Sequence, residues 1–232
     1  MSTFDLEFYF DPVCPFCWVV SRWVCNVSRQ RRLTVDWRPL SLRILNEPIG
    51  YEDRPAAYPD AHQRGLEMLR VVAAARERYE AAAVGDLYTA MGQAVWDTPA
   101  PAEASFDAVL AETARPRDLT QIVSGAGLDE DLVHAAGDTA RDETLRTETE
   151  QAVARAGGGV GTPILSFAPP DGPAFFGPVI DTPPEGDDAL RLWDAVTTLA
   201  DWPSFAELKR GVRSFPRTPM TAHLAGQDTR AG

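Results

Sequence analysis

The chain has 232 residues, 44% of them hydrophobic and 24% charged, which allows one large domain or a small domain carrying an insertion. Its formal net charge of −12 argues against nucleic acid and anionic membrane as partners, since both call for basic surface. Met1 to Glu7 is acidic and alternating, with no basic start and apolar run, and nowhere do about 18 apolar residues follow one another, so a cytoplasmic protein is expected.

Phe4, Leu6, Phe8 and Phe10 alternate with Asp5, Glu7 and Tyr9, the period-2 pattern of a strand that Asp11-Pro12 ends. From Cys14 the pattern turns helical to about Arg31, with Cys14 at the N-cap, Pro15 at the first helical position and arginines near the end. Leu33, Val35 and Trp37 alternate again, giving a β-α-β start to an α/β sheet. After a Pro- and Asp-bearing loop from Glu47 to about Asp60, helical spacing continues for nearly a hundred residues, punctuated by Gly85, Pro99, Pro101, Pro116, Gly125 and Gly127. No fixed-period repeat runs through them, so they read as a helical subdomain and not a solenoid.

Strands return at Ile164–Phe167 and Ala174–Val179, joined by the turn Pro169-Pro170-Asp171-Gly172. A helix from about Pro184 to Asp201 carries Glu185, Asp187 and Asp188 in its first turn, and Phe205–Arg210 predicts one more short helix. The order is β-α-β, a helical insertion, then β-β-α. Without the insertion this is a thioredoxin-like α/β fold, built from residues 1–45 and 158–212 around an insertion at 60–157, with a flexible tail expected over 213–232.

Cys14-Pro15-Phe16-Cys17 puts two thiols at a helix N-terminus, where the dipole and unpaired N–H groups favour a thiolate. Cytosolic disulfides are usually transient and catalytic. Cys14 is therefore expected to be the nucleophile and Cys17, further into the helix, the resolving thiol. A zinc half-site is the rival reading, but Cys25, His62, His134 and His223 show no ligand spacing. Cys25 reads as a buried small hydrophobe.

Gly161-Thr162-Pro163 is the second signal. A cis Pro163 directly before a strand would leave Thr162 backbone groups free beside Cys14, where a substrate can pair with them. The preceding Gly157-Gly158-Gly159 lacks the Lys-Ser/Thr of a phosphate loop and reads as a helix C-cap.

Beyond Phe10-Asp11-Pro12-Val13-Cys14-Pro15-Phe16-Cys17-Trp18 and Ser21-Arg22-Trp23, four further stretches matter. They are Ser41 to Asn46, Leu87 to Gly92, Phe175 to Val179 and Glu207 to Arg210. With these residues and Gly161-Thr162-Pro163 the chain resembles the DsbA family of thioredoxin-fold oxidoreductases. Within it, the chain resembles the cytosolic actinobacterial branch of mycothiol-dependent reductases, also described as mycothiol-dependent nitroreductases. The match runs from about Phe4 to Arg210.

The resemblance implies a homodimer and electrons delivered by mycothiol or a similar thiol as co-substrate, with no tightly bound cofactor. Disulfides and small electrophiles such as nitro compounds are the implied substrates. By position, Cys14 is nucleophile, Cys17 resolving cysteine and Pro163 the cis proline. Phe16 departs from the family, where Trp or His is frequent.

Phe16, Thr162, Asn46 and His62 are the candidate substrate contacts, the last two lying where the sheet hands over to the insertion. Trp18, Trp23 and Tyr88 fit a core at least as well as a pocket wall. Two other functions compete. An enzyme like 2-hydroxychromene-2-carboxylate isomerase shares the fold but typically has serine at the first active position. A redox-inert chaperone or scaffold would use the helical subdomain to bind a partner.

Overall fold

The computed structural model describes residues 4–211 and 214–224. Strand β1 (Leu6–Phe10) leads into helix α1 (Pro15–Arg31) and strand β2 (Val35–Pro39). A short helix α2 (Leu42–Asn46) precedes the helical insertion: α3 (Tyr58–Arg78), α4 (Ala81–Trp96), α5 (Phe106–Thr113), α6 (Leu119–Gly125), two 3-10 turns and α7 (Asp142–Arg155). Strands β3 (Ile164–Phe167) and β4 (Ala174–Phe176) and helix α8 (Gly186–Ala200) complete the thioredoxin-like frame. The four strands lie in the order β2-β1-β3-β4, with β1 parallel to β2 and antiparallel to β3. Central β1 brings its C-terminal end, and therefore the Cys14 loop, to the middle of one sheet edge.

The alternation in β1 sorts two different faces. Leu6 lies opposite Phe167, and Phe8 opposite Trp37 and Leu165, so one face is apolar. It is covered from α4, where Tyr88 stacks on Phe10 at 3.8 Å, and from α8, where Trp193 meets both Phe167 and Trp23 at 5.7 Å. Each such fully buried large side chain contributes about 1.5–3 kcal/mol.

The other face carries Glu7, Tyr9, Asp36, Arg38 and Ser166, yet it too is covered, by α7 and α3. Glu7 accepts from Arg38 (2.8 Å) and Arg155 (2.7 Å), Arg38 forks onto Glu148, and Arg76 donates to Asp36 at 2.7 Å. Burial raises the Glu7 pKa, but its two arginines outweigh that and hold the carboxyl below its ordinary value.

The sequence expectation fails at four places. The strand expected over Ala174–Val179 ends at Phe176, where Gly177 turns the backbone to a φ of 91°. Phe205–Arg210 forms no helix, and Leu208 is left 81% exposed because no face of the segment meets the core. The flexible tail does not begin at 214. Met220 and Thr221 are fully buried, Met220 N–H donates to the Trp96 carbonyl (3.2 Å), and Arg217 N–H to the Asp181 carbonyl (2.7 Å). The expectation for 213 and 225–232 lies outside the described residues. Gly85 does not end a segment but sits inside α4, where a Cβ would come within 2.5 Å of Trp37 Nε1.

Candidate active site

The loop between β1 and α1 is built by Asp11. Its carbonyl accepts from Cys14 N–H at 3.0 Å. One carboxylate oxygen accepts from Val13 N–H (3.0 Å), closing a local turn, and the other from Leu42 N–H (2.8 Å) at the start of α2. Trp96, at the end of α4, donates its indole N–H to the Pro12 carbonyl at 2.9 Å. The loop is thus held from both sides before α1 begins. Asp11 is fully buried, and burial, opposed by the two backbone N–H groups, pushes its pKa from 3.8 up to about 7.

Cys14 is the N-cap of α1, its Sγ accepting from Cys17 N–H at 3.4 Å, and Pro15 follows at the first helical position. Both cysteines are free thiols, Cys14 6% exposed and Cys17 fully buried. Burial, then the adjacent Cys14, pushes the Cys17 pKa well above the ordinary thiol value. The pair is therefore asymmetric: Cys14 accepts a helix N-terminal N–H and keeps a small exposure, whereas Cys17 is fully buried.

Thr162 and Pro163, joined by a cis peptide bond, lie directly across from the thiols. The Thr162 carbonyl stands 3.6 Å from Cys14 Sγ, and its hydroxyl 3.0 Å from Cys17 Sγ. That hydroxyl donates to the Tyr9 carbonyl at 3.2 Å, which ties the Pro163 loop back to β1. Cys14, Cys17, Thr162 and Pro163 are so brought together from two ends of the chain.

Phe16, inside the motif, begins a row of rings. It meets Phe215 at 6.2 Å, Phe215 meets Phe106 at 5.7 Å, Phe106 meets Tyr58 at 6.1 Å, and Tyr58 meets His62 at 5.1 Å. His62 is buried on α3, not solvated at a helix start, and its Nδ1 lies 2.9 Å from the Tyr51 hydroxyl. Burial, then the charges of Arg43 and Arg54, lower its pKa from 6.5 to about 4, so the ring is neutral at pH 7. Asn46 is half-buried and turns its amide onto the Leu42 carbonyl (2.8 Å) of its own helix. Neither His62 nor Asn46 has a described contact with a cysteine. Both connect to the site through α2 and α3, which flank Asp11.

Trp18, Trp23 and Tyr88 are all core residues, at most 4% exposed. Trp18 is pinned by an indole hydrogen bond to Asp97 (3.1 Å) and by Arg22 over its ring at 4.1 Å. Cys25, about three turns further along α1, is half-buried against the core. Sequence reasoning assigned no role to Asp11 or Phe215. Asp11 had a signal, an acidic residue three positions before the first cysteine of the motif. Phe215 had none, because its partners are distant in the chain.

The family described as Rv2466c-like, mycothiol-dependent nitroreductase Rv2466c, matches residues 13–210. The uncharacterized protein Rv2286c of Mycobacterium tuberculosis is 32% identical over 234 residues, spanning 99% of this chain and 89% of that protein. Among solved structures, 2-hydroxychromene-2-carboxylate isomerase is 17% identical with a TM-score of 0.49, covering 83% of this chain and 94% of that one. DsbA of Chlamydia trachomatis is 12% identical with a TM-score of 0.46, covering 86% and 89%. With 198 consecutive residues inside the family match, from 13 to 210, the chain belongs to the Rv2466c-like family of mycothiol-dependent nitroreductases.

Proposed function

We propose that the chain is a cytoplasmic thiol–disulfide oxidoreductase whose Cys14–Cys17 dithiol delivers two electrons to a disulfide or a small electrophile such as a nitro compound. The observation that carries the reading is the asymmetry of the two thiols opposite Thr162-Pro163. Cys14, 6% exposed, accepts a helix N-terminal N–H at its Sγ, while Cys17, one turn further in, is fully buried.

Cys14 as thiolate attacks one sulfur of a substrate R–S–S–R′, forming Cys14–S–S–R and releasing R′S⁻. Cys17 then attacks the Cys14 sulfur of that mixed disulfide, closing the Cys14–Cys17 disulfide and releasing RS⁻. Two molecules of mycothiol or a similar thiol return the pair to the dithiol, themselves becoming the disulfide. Phe16, with the ring row behind it, is the apolar part of the substrate surface, and the Thr162 backbone its polar part. Asn46 and His62 shape the rim from α2 and α3. No tightly bound cofactor enters this scheme. The assembly proposed is a homodimer.

Two measurements test the reading. Cys17→Ser should trap a mixed disulfide on Cys14, read by intact and peptide mass spectrometry after mixing with mycothiol disulfide. An adduct confined to Cys25 would sink the assignment. Turnover with mycothiol against glutathione and a thioredoxin system then identifies the reductant, and equal rates with all three would remove the case for mycothiol.

A further inference from the structure

Thr162 touches both reacting sulfurs with different atoms. Its carbonyl faces Cys14 Sγ at 3.6 Å, and its hydroxyl faces Cys17 Sγ at 3.0 Å. The hydroxyl already donates its proton to the Tyr9 carbonyl at 3.2 Å, so toward Cys17 it acts as acceptor of the S–H. A hydroxyl has one proton and rotates to suit its partners. We propose that Thr162 is a two-position switch for the resolving step: its hydroxyl accepts from the Cys17 S–H in the dithiol and turns to donate to the Cys17 sulfur as that sulfur attacks. The inference rests on the dithiol reading above and adds to it a role for a side chain, where only backbone groups of Thr162 were assigned.

The need for such a donor follows from the surroundings. Cys17 is fully buried, so water cannot solvate the charge it must carry when it attacks. The Asp11 backbone N–H already favours the Cys17 thiolate, and the Thr162 hydroxyl at 3.0 Å is the side-chain group placed to add a second donor. Cys14 is the reaction partner and, in the mixed disulfide, has no proton. Asp11 spends both carboxylate oxygens on Val13 and Leu42 N–H groups. Tyr88 on α4 is kept neutral by burial and then by the charge of Cys17, and its hydroxyl makes no hydrogen bond to the Cys17 sulfur. In the step itself, Cys17–S⁻ forms the bond to Cys14 Sγ while the Cys14–S–R bond breaks. The pair is oxidised, RS⁻ leaves with the electron pair of the broken bond, and the proton lost by Cys17 is taken up as RSH. Rotation of the Thr162 hydroxyl costs its bond to Tyr9 and gains a charge-assisted one, which is the stronger of the two.

The test uses the full chain and an aromatic disulfide whose released thiolate absorbs in the visible, such as 5,5′-dithiobis(2-nitrobenzoate). Stopped-flow mixing then shows a first equivalent when Cys14 attacks and a second when Cys17 resolves. Thr162→Val should slow the second phase relative to the first by about tenfold or more, the loss of one hydrogen bond to a charged group. The pH profile of the second phase should move upward by about one unit, and Thr162→Ser should restore both rate and profile. A second phase unchanged by valine, or equally slow in the serine variant, overturns the proposal while leaving the dithiol reading intact. A wild type that releases no second equivalent overturns the dithiol reading itself. If valine disturbs the fold, the infrared S–H band of Cys17 in the Cys14→Ser, Cys25→Ser protein decides. A hydrogen-bonded band is expected, and a free S–H frequency would overturn the proposal.

Discussion

Gly65 approaches Asp11 so closely that a Cβ on Gly65 would lie 2.5 Å from the carboxylate oxygen and 2.8 Å from Val13 Cγ2. Helix α3 therefore rests its backbone directly on the loop that carries Cys14. Gly65→Ala should destabilise the protein by about 1–3 kcal/mol, since Asp11 is held by two backbone donors and cannot give way. Gly125→Ala is the control: nothing lies within 4 Å of its Cβ position, and a neutral or slightly stabilising effect of up to about 1 kcal/mol is expected. Urea unfolding of the two variants checks the contrast, and equal effects would show that α3 does not bear on the loop.

Asp11 and His62 flank this contact and respond to pH with opposite signs. His62 has its folded pKa lowered to about 4, so its stabilising effect is present above 6.5 and lost as pH falls toward 4. Asp11 has its folded pKa raised to about 7, so it binds a proton in the folded state first, and its effect on stability improves as pH falls from 7 toward 4. Each is worth on the order of 3 kcal/mol across its window, and in the wild type the two largely offset. Relative to wild type, His62→Gln should gain stability between pH 7 and 4.5. Asp11→Asn should lose stability over the same interval, on top of a constant loss of about 1–3 kcal/mol from a backbone N–H left facing an amide N–H. Parallel stability–pH curves for all three proteins would contradict both assignments.

Phe215 packs on Phe16, two residues along the chain from Cys14, and Cys14 is only 6% exposed. Phe215→Ala should raise the rate of Cys14 alkylation by iodoacetamide several-fold while costing about 1–3 kcal/mol of stability. Peptide mapping separates Cys14 from Cys25, and an alkylation rate unchanged at Cys14 would show that Phe215 does not screen it.

Glu7 anchors the charged face of the sheet. Glu7→Gln removes the carboxylate that Arg38 and Arg155 share under α7, while Arg38 keeps Glu148, and a loss of about 1–3 kcal/mol is expected. Glu7→Gln with Arg155→Met should recover part of it, because one of the stranded charges is then gone. A double-mutant cycle with no coupling would place the energy elsewhere.

Much of this was legible in the chain. Alternation in Leu6–Phe10, the Cys14-Pro15-Phe16-Cys17 start of a helix and Thr162-Pro163 before a strand are local patterns, and the frame and the thiol pair follow from them. The charged face of β1 was not legible. Glu7 and Arg38 look like solvent residues until α7, more than a hundred positions on, covers them with Glu148 and Arg155. The same holds for Ser214–Leu224, whose apolar residues have no period and pack only because Trp96, Asp181 and Thr113 are already in place.

Local chemistry alone therefore determined that this protein has two thiols at a helix N-terminus, since a dipole, an N-cap and a proline act within one turn. Which thiol is shielded, which hydroxyl meets it and which carboxyl holds the loop were decided only by tertiary structure. Around the thiols, hydrogen-bond partners lie up to 153 residues apart in the chain.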